Sequence, residues 1–142
     1  MKAHVRLGEY AKVGIGTGIF FGLLAWFFAT IGFSLIGSPI VGLIGGAAAG
    51  LVMFFAVAIG QVIYLVAGAW ISSKTGFWKQ SRFWKIFQAY FISVVLLGVV
   101  SAFLRKDIGT FQIIWLLLGA VISSAITGLI GRFMADRMRL VI

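Results

Sequence analysis

Residues 13–36 read VGIGTGIFFGLLAWFFATIGFSLI, an apolar stretch without one charged side chain. As a helix rising about 1.5 Å per residue, it is long enough to cross a hydrocarbon core of roughly 30 Å. A basic segment precedes it, as in a secretory signal, but an apolar signal core runs only about 7–15 residues. The stretch therefore reads as a retained membrane span.

Working outward, Gly37-Ser38-Pro39 makes a tight turn, and Pro39 suits the first turn of a following helix. A second span runs from Ile40 to about Ser72, longer than the core requires. It must tilt, protrude or break, with Gly45-Gly46 and Gly60 as the weak points. A polar, basic and aromatic loop, Ser73–Phe83, leads to a third span over Trp84–Leu104. The short turn Arg105–Thr110 leads to a fourth over Phe111–Gly131, and Arg132–Ile142 forms a basic tail. Transmembrane strands would alternate apolar and polar residues in segments of about 10, and stretches such as Phe91–Val100 do not. The expected fold is an all-α integral membrane protein: a single four-span domain over residues 1–142 (spans about 13–36, 40–72, 84–104 and 111–131), packed as an antiparallel up-down bundle.

Composition agrees. Of 142 residues, 62% are apolar and 11% charged, with a mean hydropathy of +1.14. A soluble domain is about one-quarter charged, so this chain could not cover a water-facing surface. Cysteine is absent, which excludes disulfides, thiolate metal sites and cysteine nucleophiles. Asparagine is absent too, and with it any N-glycosylation acceptor.

The net charge of +9 acquires meaning from its distribution. With four spans, Lys2, Arg6, Lys12, Lys74, Lys79, Arg82, Lys85, Arg132, Arg137 and Arg139 share one side, against Arg105 and Lys106 on the other. The positive-inside rule then puts both termini and the middle loop in the cytoplasm, in an inner or plasma membrane.

Three constellations stand out. Glycines recur every four residues in span one (Gly14, Gly18, Gly22) and in span two (Gly42, Gly46, Gly50), each run forming a smooth face for close helix approach. Antiparallel spans put these runs at opposite depths, so they cannot pack mainly on each other. Each run is expected to meet span three, span four or a neighbouring subunit. A weaker stripe, Ser123, Thr127 and Gly131, lies in span four. The second constellation is a polar layer in the cytoplasmic half of the bundle: Gln61, Tyr64, Tyr90, Ser93, Ser123, Ser124 and Thr127. Such groups hydrogen-bond across helices or line a small polar cavity. The third is the middle loop, where Trp78 and Trp84 interleave with Lys74, Lys79, Arg82 and Lys85. Next to a span this pattern anchors rings at the headgroup level and cations against anionic lipid; nucleic-acid stacking is the less fitting alternative. In the tail, Asp136 is spaced to pair with Arg132 and Arg139.

Chemistry-bearing groups are sparse. His4 is the only histidine, and Glu9, Asp107 and Asp136 are the only carboxylates in side chains. These make no triad or metal-ligand set, so neither cofactor nor catalytic residue is expected. No charged residue or histidine stands in the central part of any span, which argues against ion-coupled transport but leaves hydroxyl-lined conduction open. The fluoride channels' paired small-residue and arginine motifs and the small multidrug carriers' span-one glutamate are missing. The region Val62–Gly98, a span ending at a short basic loop with Gly76 before the next span, resembles the Yip-type multispan proteins in hydropathy; it implies no activity. The expected role is that of a non-catalytic structural or accessory subunit, packing through glycine faces into a homo-oligomer or with other membrane subunits. A pore or channel for a small solute is the alternative, and lipid binding or membrane remodelling a third.

Overall fold

Four helices carry the chain: α1 (Leu7–Ile36), α2 (Pro39–Thr75), α3 (Arg82–Arg105) and α4 (Thr110–Met138). The computed structural model describes residues 7–106, 109–140 and 142; Lys2, His4, Arg6 and Asp107 lie outside them. All four helices are long and apolar enough to cross a membrane, as a multi-pass membrane protein requires.

The helices overrun the apolar stretches, mostly at the basic end. There α1 begins at Leu7 rather than Val13, α2 continues to Thr75, and α4 continues to Met138. An apolar run marks contact with hydrocarbon, while backbone hydrogen bonding carries a helix on into water. The long second span does not break: α2 is one helix of 37 residues, roughly 55 Å long. Its start follows from local chemistry. Ser38 caps it, accepting a bond from the Val41 N–H at 3.4 Å, and Pro39 occupies the first turn. At the other end Gly76, at φ 93°, leaves the helix in a conformation L side chains rarely adopt, and its N–H donates to the Ser72 carbonyl at 2.7 Å. Ser81 caps α3 through the Trp84 N–H at 3.4 Å.

The glycine runs pack differently from the expectation. They lie at opposite depths and do not face each other, yet both are consumed between α1 and α2. A Cβ built on Gly14 would come 2.7 Å from the Val62 Cα; on Gly18, 2.7 Å from the Ala58 Cα; on Gly22, 3.0 Å from the Phe54 carbonyl oxygen. Along the other half the roles exchange. A Cβ on Gly50 would lie 3.1 Å from the Trp26 Cα, on Gly46 2.7 Å from the Thr30 Cα, and on Gly42 2.7 Å from the Ser34 Cα. As numbering rises along α1 it falls along α2, in steps of four. The seam thus has glycine on α1 at one end and on α2 at the other, with a larger residue opposite each. Neither spans three and four nor a second subunit is needed to occupy these faces. Opposite depths rule out glycine against glycine, but not glycine against the larger residues of the facing helix.

The main core gathers at the basic end. Val13, Leu65, Ala69, Ile86, Ala89 and Ala135 are fully buried there, with Tyr10, Tyr90 and Leu140 nearly so. Contacts joining the α1–α2 hairpin to α3 and α4 cluster in this half: Gly68 against Ala89, Gly131 against Val13 and Ile86, Gly16 against Met134. Farther out, Gly98 of α3 packs on Leu116 of α4, while Phe55 and Ile59 of α2 and Leu97 and Val100 of α3 are exposed. Bilayer lipid would solvate those faces.

Candidate functional site: a polar layer and a basic collar

The polar layer centres on Gln61. This side chain is 6% exposed and its amide nitrogen donates to the Tyr90 hydroxyl at 3.2 Å. On its other side the Thr17 hydroxyl lies 3.4 Å from Oε1, while also 2.9 Å from the Val13 carbonyl of its own helix. One side chain therefore links α1, α2 and α3. Ser93 crosses from α3 to α2, donating to the Tyr64 carbonyl at 2.5 Å. Tyr64 adds its ring, set edge-on to Tyr90 at 5.7 Å between centroids. Ser123 turns back on α4 and donates to the Gly119 carbonyl at 2.6 Å. Ser124 and Thr127 are fully buried, and neither hydroxyl has a partner. Hydroxyls in helices readily bond the carbonyl one turn back, so two that do not are unusual.

Thr17 was hidden in the sequence by the glycines around it. Gln88 is 1% exposed and makes three hydrogen bonds through its amide, although its place in the sequence is inconspicuous. Its amide nitrogen donates to the Gly76 carbonyl at 3.0 Å and the Ser72 hydroxyl at 3.3 Å; its oxygen accepts the Trp78 N–H at 2.8 Å. It fastens the α2–α3 loop onto α3. The available signal was a lone amide one turn inside span three, next to a loop whose backbone groups need partners.

The loop and the neighbouring helix ends carry a collar of cations over aromatic rings. Lys74 stands 4.4 Å from the Trp70 ring centre, Lys79 4.8 Å from Trp84, Lys85 5.6 Å from Phe77, and the Arg137 guanidinium 5.4 Å from Phe133. Trp78 is exposed, with its ring against Phe91. Trp84 packs on Phe83 and Phe87, and Phe87 stacks on Phe91 at 5.8 Å. Arg82 differs from its neighbours: it forms an ion pair with Asp136, tying the loop to the end of α4. Arg132 reaches the same carboxylate at 3.9 Å, whereas Arg139 forms no pair with it. Both members of the Arg82–Asp136 pair are about half exposed, so its contribution is under about 1 kcal/mol. Arg82→Glu should lower the melting temperature in detergent slightly at low salt and not at high salt. Adding Asp136→Arg should restore it, and a double variant no better than the single one would exclude the pairing.

Among the described residues no group of three or more His, Cys, Asp and Glu side chains comes together to hold a metal. Comparison with protein-family models, with curated proteins and with solved structures finds no match to this chain.

Proposed function

We propose that this chain is a non-catalytic, multi-pass membrane protein serving as a structural or accessory subunit, with both termini and the middle loop in the cytoplasm. The observation carrying this reading is the helix-to-helix bonding at the centre of the polar layer. Thr17, Gln61 and Tyr90 engage one another across three helices, a use of buried polar groups that holds helices together. Its partners would be a second copy or other membrane subunits, together with anionic lipid at the collar. The faces open to a partner are those outside the α1–α2 seam, where Cβ atoms on Gly45, Gly60 and Gly119 would meet nothing within 4 Å.

Orientation rests on the distribution of lysine and arginine. Reporter tags at residue 1, near residue 76 and at residue 142 should all report cytoplasmic, and tags near Gly37 or Gly109 external. An external C-terminus would refute the four-span arrangement.

A pore for a small neutral solute is the second reading, favoured by the two unpartnered hydroxyls of Ser124 and Thr127, which a transient water could serve. Stopped-flow light scattering on proteoliposomes holding only this protein separates the two. A structural subunit leaves water and glycerol flux at the level of empty vesicles. Flux above that level, abolished by Thr127→Val, would establish the pore.

A further inference from the structure

The wall between α2 and α3 holds a groove lined by Tyr64, Ala67 and Ile71 on one side and Leu96, Leu97 and Val100 on the other. Ser93 lies at its floor, but its hydroxyl is already donated to the Tyr64 carbonyl, so the lining is almost wholly apolar. Tyr64, Ala67, Ile71 and Lys74 follow one another at three- and four-residue spacing, which keeps them on one face of α2. The trough therefore runs roughly 10 Å along α2, and Lys74, which is exposed, stands about one turn beyond its end on the same face. That lysine stands over Trp70, itself half exposed.

We infer that this groove is a lipid site: it seats one acyl chain of an anionic phospholipid, with the phosphate held at Lys74. An apolar trough leading to a cation and an indole matches a lipid's chain, phosphate and interfacial region in that order. A soluble phosphate would use only Lys74, and a neutral lipid only the trough. Another surface groove, lined by Ile15, Ile19, Ala58, Ile59, Val62 and Ile63, makes a natural comparison. It is equally apolar, but Lys12, one turn from Ile15 on α1, is paired with Glu9 at 3.3 Å. The inference deepens the lipid contact proposed at the collar and rests on the chain lying in a bilayer; it is independent of the structural-subunit role.

Native mass spectrometry of the full chain, released from detergent micelles supplemented with equal amounts of phosphatidylcholine and phosphatidylglycerol, tests it. The unmodified protein should retain one phosphatidylglycerol. Lys74→Gln should lower the ratio of phosphatidylglycerol to phosphatidylcholine adducts about fivefold, as expected for loss of one interfacial cation. Ala67→Phe should abolish the adduct by filling the trough, and Ile59→Phe, in the other groove, should leave it intact. If Ala67→Phe loses helicity by circular dichroism, Leu97→Phe on the facing wall serves the same purpose. A trough-filling variant that stays folded and keeps its phosphatidylglycerol overturns the site. So does a Lys74→Gln protein with unchanged selectivity.

Discussion

Gly68→Ala is expected to destabilise the protein more than any other single added methyl group. The new Cβ would be driven into the carbonyl group of Ala89 on α3, with the Ala89 Cα at 2.8 Å. These are backbone atoms, so the strain cannot be relieved by a rotamer change; α2 and α3 must part. Parting them also stretches the Gln61–Tyr90 and Gln88–Ser72 bonds on either side of the contact. Overpacking a core costs about 1–3 kcal/mol, and a clash with an immovable neighbour belongs at or above the top of that range. Gly18→Ala, facing the Ala58 Cα at 2.7 Å, should follow closely. Gly45→Ala and Gly60→Ala add the same methyl group into open space and should melt like the parent or slightly higher, since alanine is the better helix former. Because the Gly68 and Gly18 contacts lie within one chain, size-exclusion chromatography with light scattering should show an unchanged oligomeric state for these two variants. A Gly68→Ala protein melting like Gly45→Ala would mean that α2 and α3 do not approach at this point.

Different parts of this architecture were legible to different degrees, for physical reasons. Four apolar helices followed from composition and run length, because hydrocarbon accepts no other use of such residues except a barrel. Ser38-Pro39 announced the start of α2 through capping chemistry alone. The glycines announced close packing but not their partner. That partner depends on the register of two long helices, and register emerges only when larger residues such as Phe54, Val62 and Trp26 are matched against the glycines. In the polar layer, Gln61 and Tyr90 do meet, while Ser93 and Ser123 bond to backbone carbonyls. Residue type identifies a hydrogen-bonding group in hydrocarbon, but rotamer and helix rotation choose its partner. Arg82 shows the same limit at the collar: its sequence neighbours suggested a lipid contact, yet a carboxylate fifty-four positions away in the chain claims its guanidinium.

Gln88→Leu should be the most damaging change outside the glycine contacts. Leucine fills similar space and suits a helix, so packing and propensity change little. What disappears is a set of three bonds to the Gly76 carbonyl, the Ser72 hydroxyl and the Trp78 N–H. Leaving a buried donor or acceptor unsatisfied costs about 1–3 kcal/mol, more than the bond contributed net, because the abandoned group cannot reach water without rearrangement. The Ser72 side chain is fully buried, and so is denied that escape; the part-buried loop groups recover water as the Gly76–Ser81 turn lifts off α3. The expected result is therefore a lower melting temperature together with faster trypsin cleavage after Lys79 and Arg82, while helix content by circular dichroism stays near the parent value. Gln88→Glu discriminates between loss of bonds and loss of shape. A carboxylate can still accept from Trp78 but cannot donate to the Gly76 carbonyl, so at neutral pH it should loosen the turn. Below the carboxyl's pKa its proton restores a donor, and protection from an acid-tolerant protease such as pepsin should recover. A turn equally resistant in the parent, Gln88→Leu and Gln88→Glu proteins would show that the loop is held by the aromatic contacts of Trp78 and Phe77 instead of by the amide.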